Sequence, residues 1–187
     1  MLSNKHLSRT IRLSILLFPL TNVVICLFYG AINALDLDSF VLFKQFLFCF
    51  SVAIAEELFF RGLLLRELVF SYNWQPVRAS LIVSVLFGVL HLLNVNSYAT
   101  WNYAIVQSIC AFAVSVNICA VFINTKRLLW CVVIHMMINI TSIGWECSAN
   151  GKQLVLSNIE SIIFLSVSFI YLVNGIKMLN NKMVEGK

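Results

Sequence analysis

Six long apolar runs, separated by short polar stretches, constrain this chain more than any other feature. They are Leu13 to Ala34, Phe40 to about Phe70, Ala79 to about Val95, Trp101 to Ile123, Leu128 to Ile143, and Leu154 to Asn174. Roughly 20 apolar residues carry a helix across the bilayer, and most of these runs are close to that length. The chain therefore reads as all-α: a polytopic membrane helical bundle of about six transmembrane helices. The second run is too long for one straight crossing and is expected to contain a cytoplasmic turn or a kink. The fifth is short, and its polar contents point to burial among neighbouring helices rather than full lipid exposure.

Composition supports this. Hydrophobic residues make up 60% of the chain and charged residues only 11%, against about 45–50% and about 25% in soluble domains. Nothing is left over for a separate soluble unit, so residues 1–187 are expected to form a single domain. The formal charge of +5 is not a nucleic-acid footprint, because the basic residues sit scattered at segment ends. The six cysteines form no CxxC pair, and those inside apolar runs behave as small hydrophobes. The basic start, Met1 to Arg12, resembles a signal peptide in outline. The run after it is too long and no small-residue cleavage site closes it, so a retained first span is expected.

The loops set an orientation. With the N-terminus in the cytoplasm, Lys5, Arg9, Arg12, Arg66, Arg78, Lys126, Arg127, Lys177, Lys182 and Lys187 fall inside. Lys152, and Lys44 near a span end, fall outside, together with the acidic loop at Asp36 and Asp38. This asymmetry follows the positive-inside rule with both termini cytoplasmic. Trp74, Trp101, Trp130 and Trp145 all fall near span ends, as an interfacial aromatic belt requires.

Against this background Glu56 and Glu57 stand out, adjacent carboxylates inside an apolar run with Arg61 four residues after the second. An ionisable group at bilayer depth costs roughly 2.5–3.5 kcal/mol, so its presence points to a site. On a helix Glu57 and Arg61 share a face and neutralise each other. Glu56 points about 100° away and must face something else. His91 ends the run Phe87-Gly88-Val89-Leu90-His91, where Phe87 and His91 share a face. His135 and Asn139 form another such pair in the fifth run, and both side chains can donate hydrogen bonds. The plain alternative for each is interhelical glue. Taken together, they are a base, an imidazole and two donors from three helices, which is what water-mediated hydrolysis needs. Elsewhere, Asn117 and Gln107 read as interhelical glue, Glu160 as a pairing or snorkelling carboxylate, and Asn94 as a rim residue near His91.

EExxxR, FxxxH and HxxxN, in that order and each within its own span, resemble the CPBP intramembrane proteases. That family includes the CAAX prenyl endopeptidases and bacterial relatives linked to bacteriocin maturation, self-immunity and abortive infection. The resemblance runs from Glu56 to Asn139. It implies that Glu56 activates water together with His91, that His135 and Asn139 form an oxyanion hole, and that Glu57 and Arg61 support the geometry. It also implies an integral protein of a bacterial plasma membrane, acting on a membrane-bound or lipid-associated peptide or protein, with no nucleic acid involved. No cofactor is expected. Two carboxylates and two histidines could instead hold zinc, but no HExxH is present. A non-catalytic immunity or scaffold protein, or a small proton-linked transporter, is the remaining alternative, although a binder has no use for an oxyanion pair.

Overall fold

The computed structural model describes residues 39–95, 99–148 and 157–185, and these are almost entirely helical. Helix α1 starts at Ser39 and runs to Glu57 in α-geometry. It continues through two π-helical stretches, Leu58–Leu65 and Glu67–Ser71. Helix α2 spans Pro76–Leu90 and tightens into a 3₁₀ turn at His91–Asn94. Helices α3, α4 and α5 are Trp101–Thr125, Leu128–Ser148 and Asn158–Glu185. The first apolar run, the acidic loop at Asp36 and Asp38, and Lys152 lie outside the described residues.

By length and composition, α2 with its 3₁₀ turn, α3, and α5 as far as Asn180 are each able to cross a membrane. The long second run contains no turn before Tyr72. In place of the expected interruption, the helix changes type at Leu58 and keeps going. Helix α4 also runs past Ile143, where its apolar stretch was expected to stop, as far as Ser148. Large apolar side chains such as Phe40, Phe43, Phe48, Leu63, Leu93, Ile159 and Phe169 are exposed on the outside of the bundle. Exposed apolar surface on that scale suits lipid and not water.

Local signals explain the ends. Pro76 occupies the first turn of α2, where its missing N–H costs nothing. Thr100 caps α3 by accepting from the Tyr103 N–H at 3.4 Å. Asn73 and Lys126, both with positive φ, break the chain after α1 and α3. Glu160 takes part in a helix cap. Its Oε2 accepts the Ser157 N–H at 2.7 Å, and the Ser157 hydroxyl accepts the Glu160 N–H at 3.3 Å. That reciprocal capping box begins α5.

Helix α3 is the centre of the bundle, and every side chain from Ser115 to Ile123 is buried. Contacts at Gly88–Ser108 and Ser84–Cys119 run α2 antiparallel to α3. Contacts at Asn117–Tyr171 and Asn124–Met178 run α5 parallel to it. In both of the latter an asparagine amide on α3 donates to a backbone carbonyl of α5, at 3.4 Å. Asn117 is thus the interhelical glue its sequence context suggested. Gln107 serves similarly by accepting from Asn94 at 2.9 Å.

Gly175 lets α5 come this close. A Cβ there would lie 2.8 Å from both the Cα and the N of Asn117. Because those are backbone atoms, they cannot swing aside. Gly175→Leu is expected to push α5 off α3 and lower the melting temperature in detergent. Overpacking of this kind costs about 1–3 kcal/mol. A melt unchanged from wild type would mean that α5 is not packed as described.

Candidate active site

Glu56 and Glu57 are the last α-helical residues of α1, and Arg61 lies one turn on, in the π-helical stretch. Glu57 and Arg61 are both fully buried, with the Arg61 Nη1 donating to Glu57 Oε1 at 2.8 Å. This is the intrahelical pair that the spacing of four predicts. The pair is not isolated. His135, on α4, places Nδ1 2.8 Å from the same Glu57 Oε1. Two side chains, Arg61 and His135, thus converge on one carboxylate oxygen.

This contact fixes the chemistry of His135. With Nδ1–H donating to Glu57, a neutral imidazole presents a bare lone pair at Nε2. That nitrogen lies 3.5 Å from Glu56 Oε2. His135 therefore stands between the two adjacent glutamates, and only a second proton makes its Nε2 a donor. Glu56 differs from Glu57 in exposure: 32% of its side chain is accessible, against none for Glu57. Its Oε2 is buried and lacks a hydrogen-bond partner among the described residues. One helix thus carries a sealed carboxylate beside one that is open to a reactant.

His91 closes α2. Its Nδ1 lies 2.7 Å from the Phe87 carbonyl. A carbonyl only accepts, so Nδ1 carries the proton and a neutral His91 turns a lone pair outward at Nε2. The Phe87 ring links the two histidines, with its centroid 4.7 Å from the His91 ring and 5.8 Å from the His135 ring. The Arg61 guanidinium lies 4.8 Å from the same centroid, at cation–π range. Glu56, His135 and Arg61 all act electrostatically on His91.

The structure thus brings Glu56, Glu57, Arg61, His91 and His135 together from α1, α2 and α4. Asn139 is half-buried one turn along α4 from His135, and its carbonyl lies 3.9 Å from the Cys49 Sγ of α1. Among the described residues, no group of three or more His, Cys, Asp or Glu side chains is arranged to hold a metal ion.

Two participants were not legible as such. Phe87 was placed on the face of His91, but its ring contacts with His135 and Arg61 were not foreseen. Ser115, on α3, accepts from the Arg61 Nη2 through its hydroxyl at 2.7 Å and its carbonyl at 3.4 Å. A single serine in an apolar helix carries no sequence signal for that contact.

Comparison with known families gives one match. The family model of the type II CAAX prenyl endopeptidases, Rce1-like, matches residues 38–141. No curated protein and no solved structure matches the chain. The matched segment takes in α1, α2, α3 and most of α4, and with them every motif position from Glu56 to Asn139. Since it covers more than half of the 187 residues, the chain belongs to the type II CAAX prenyl endopeptidase Rce1-like family of membrane proteases.

Proposed function

We propose that this protein is an intramembrane endopeptidase that hydrolyses a peptide bond in a membrane-bound or lipid-associated peptide or protein. The observation that carries the proposal is the open carboxylate of Glu56, set 3.5 Å from an imidazole whose far nitrogen is anchored on Glu57. Glu56 takes a proton from water and returns it to the leaving amine. His91, with its outward Nε2, orients that water. Asn139 and doubly protonated His135 donate to the tetrahedral oxyanion. Glu57 and Arg61 hold His135 in place. The family match supports a CAAX-type membrane endopeptidase, and the bacteriocin-linked and self-immunity roles of similar bacterial proteins are further candidates for this chain.

In this reading residues 1–187 work as one domain, with both termini cytoplasmic, in a bacterial plasma membrane. No cofactor is needed. The test compares the membrane peptides that accumulate in cells carrying the wild-type protein with those in cells carrying Glu56→Gln. A set of peptides cleaved only with the wild type is expected. The same cleavage in purified protein should survive a strong chelator. Loss on chelation, restored by zinc, would replace the metal-free mechanism with a metal-dependent one. Identical peptide sets would overturn the peptidase reading.

A further inference from the structure

Helix α3 contributes none of the motif residues, yet it touches the site at one point. Hydroxyl-bearing side chains in this bundle commonly turn back on their own helix. Ser51 bonds the Leu47 carbonyl and Thr125 the Val121 carbonyl, each at 2.8 Å. Such back-bonding is the ordinary fate of serine and threonine in apolar helices. Ser115, like Ser84 and Ser108, reaches another helix instead, and it alone of the three meets a charged group. Its Oγ reaches across to α1 and accepts from the Arg61 Nη2 at 2.7 Å, and its carbonyl accepts from the same nitrogen at 3.4 Å.

Both residues are fully buried. Arg61 is held by Glu57 on Nη1 and by Ser115 on Nη2, against the Phe87 face and beside the Cys119 thiol of α3. Its Nε has no hydrogen-bond partner among the described residues. Glu57 in turn holds both Arg61 and His135 through a single oxygen. A continuous set of charge-assisted bonds thus runs from α3 through α1 to α4, ending at His135.

We infer that Ser115 is a positioning residue of the site: by holding Arg61 from the side opposite Glu57, it fixes where Glu57 presents its oxygen to His135. Without the hydroxyl, the guanidinium loses its shortest bond to α3 and keeps the longer one to the Ser115 carbonyl. It is then free to shift against Glu57, and the His135 anchor shifts with it. Residues that orient groups in contact with the reactant typically change activity by about 10- to 100-fold when removed.

The test pairs Ser115→Val with Ser115→Thr. Threonine adds one methyl and keeps the hydroxyl, whereas valine has the same shape with a second methyl in the hydroxyl's place, so the packing cost is closely matched and the hydroxyl is what differs. Two readouts are taken on folded, detergent-purified full-length protein. The first is kinetic and rests on the endopeptidase reading. Ser115→Val is expected to lower kcat about 10-fold with KM unchanged, and Ser115→Thr to rescue it. The second needs no substrate. Imidazole nitrogen NMR signals of His135 are expected to shift in Ser115→Val and return in Ser115→Thr. With only three histidines in the chain, assignment needs one His135 variant. Equal kcat and equal His135 signals in the two variants would overturn the inference. So would a loss of activity that merely tracks a loss of folded protein. If the wild-type protein cleaves no peptide substrate, the endopeptidase reading falls, and the NMR comparison decides Ser115 by itself.

Discussion

Glu56→Gln is expected to give a folded, membrane-inserted protein whose chemical step is slower by about 10²- to 10⁴-fold, the usual worth of a general base. Glutamine keeps the shape of the side chain but cannot take a proton from water. The surroundings tolerate the change because Glu56 is partly accessible. Among the described residues, its one close polar approach is the 3.5 Å contact with His135 Nε2. The change leaves the Arg61–Glu57 pair intact, and His135 keeps its contact with the same Glu57 oxygen. Single-turnover rates in liposomes, compared with wild type at equal folded concentration, decide it. Near wild-type cleavage by Glu56→Gln would rule out the glutamate-base mechanism.

The neighbouring substitution should behave in the opposite order. Glu57→Gln is expected to lose folded protein before anything else is measured. Glu57 and Arg61 are both fully buried, and removing one charge of such a pair costs about 3–5 kcal/mol. The glutamine oxygen can still accept from Arg61 and His135, which places the loss toward the lower end. Its neutral amide, however, leaves the guanidinium without a counter-charge inside the bundle. The measurement is the fraction that remains monodisperse on heating in detergent, with Glu56→Gln run alongside. Wild-type stability for Glu57→Gln would mean that the buried charge of Arg61 is balanced elsewhere. Adjacent glutamates thus give two different phenotypes, because one is open to a reactant and the other is sealed.

Much of this was legible in the chain, and the legible part shares a physical character. Whatever depends on spacing within one helix could be read directly. Glu57 and Arg61 form the pair that a separation of four dictates, and Glu56 had to face elsewhere. The ends of α3 at Trp101 and Thr125 fall within two residues of the apolar run that announced them. The capping role of Glu160 was not legible, because capping depends on where a helix starts. Helix α5 begins after Ser157, beyond the Leu154 at which the apolar run begins. The long second run misled for a related reason. Its length suggested a turn, but no proline lies within it, and a shift into π-geometry at Leu58 left the helix unbroken.

The sequence by itself determined an all-helical membrane protein with ionisable groups buried at a site. Apolar length sets what can cross a bilayer, and the cost of burying charge there makes each exception informative. Only the tertiary structure decided which groups meet. The anchoring of His135 on Glu57, its approach to Glu56, the shared Phe87 ring and the reach of Ser115 to Arg61 all join different helices. Such contacts depend on how helices are rotated and set in depth against one another. That is fixed by close approaches such as Gly175 against Asn117 and Gly88 against Ser108, which no spacing along the chain encodes.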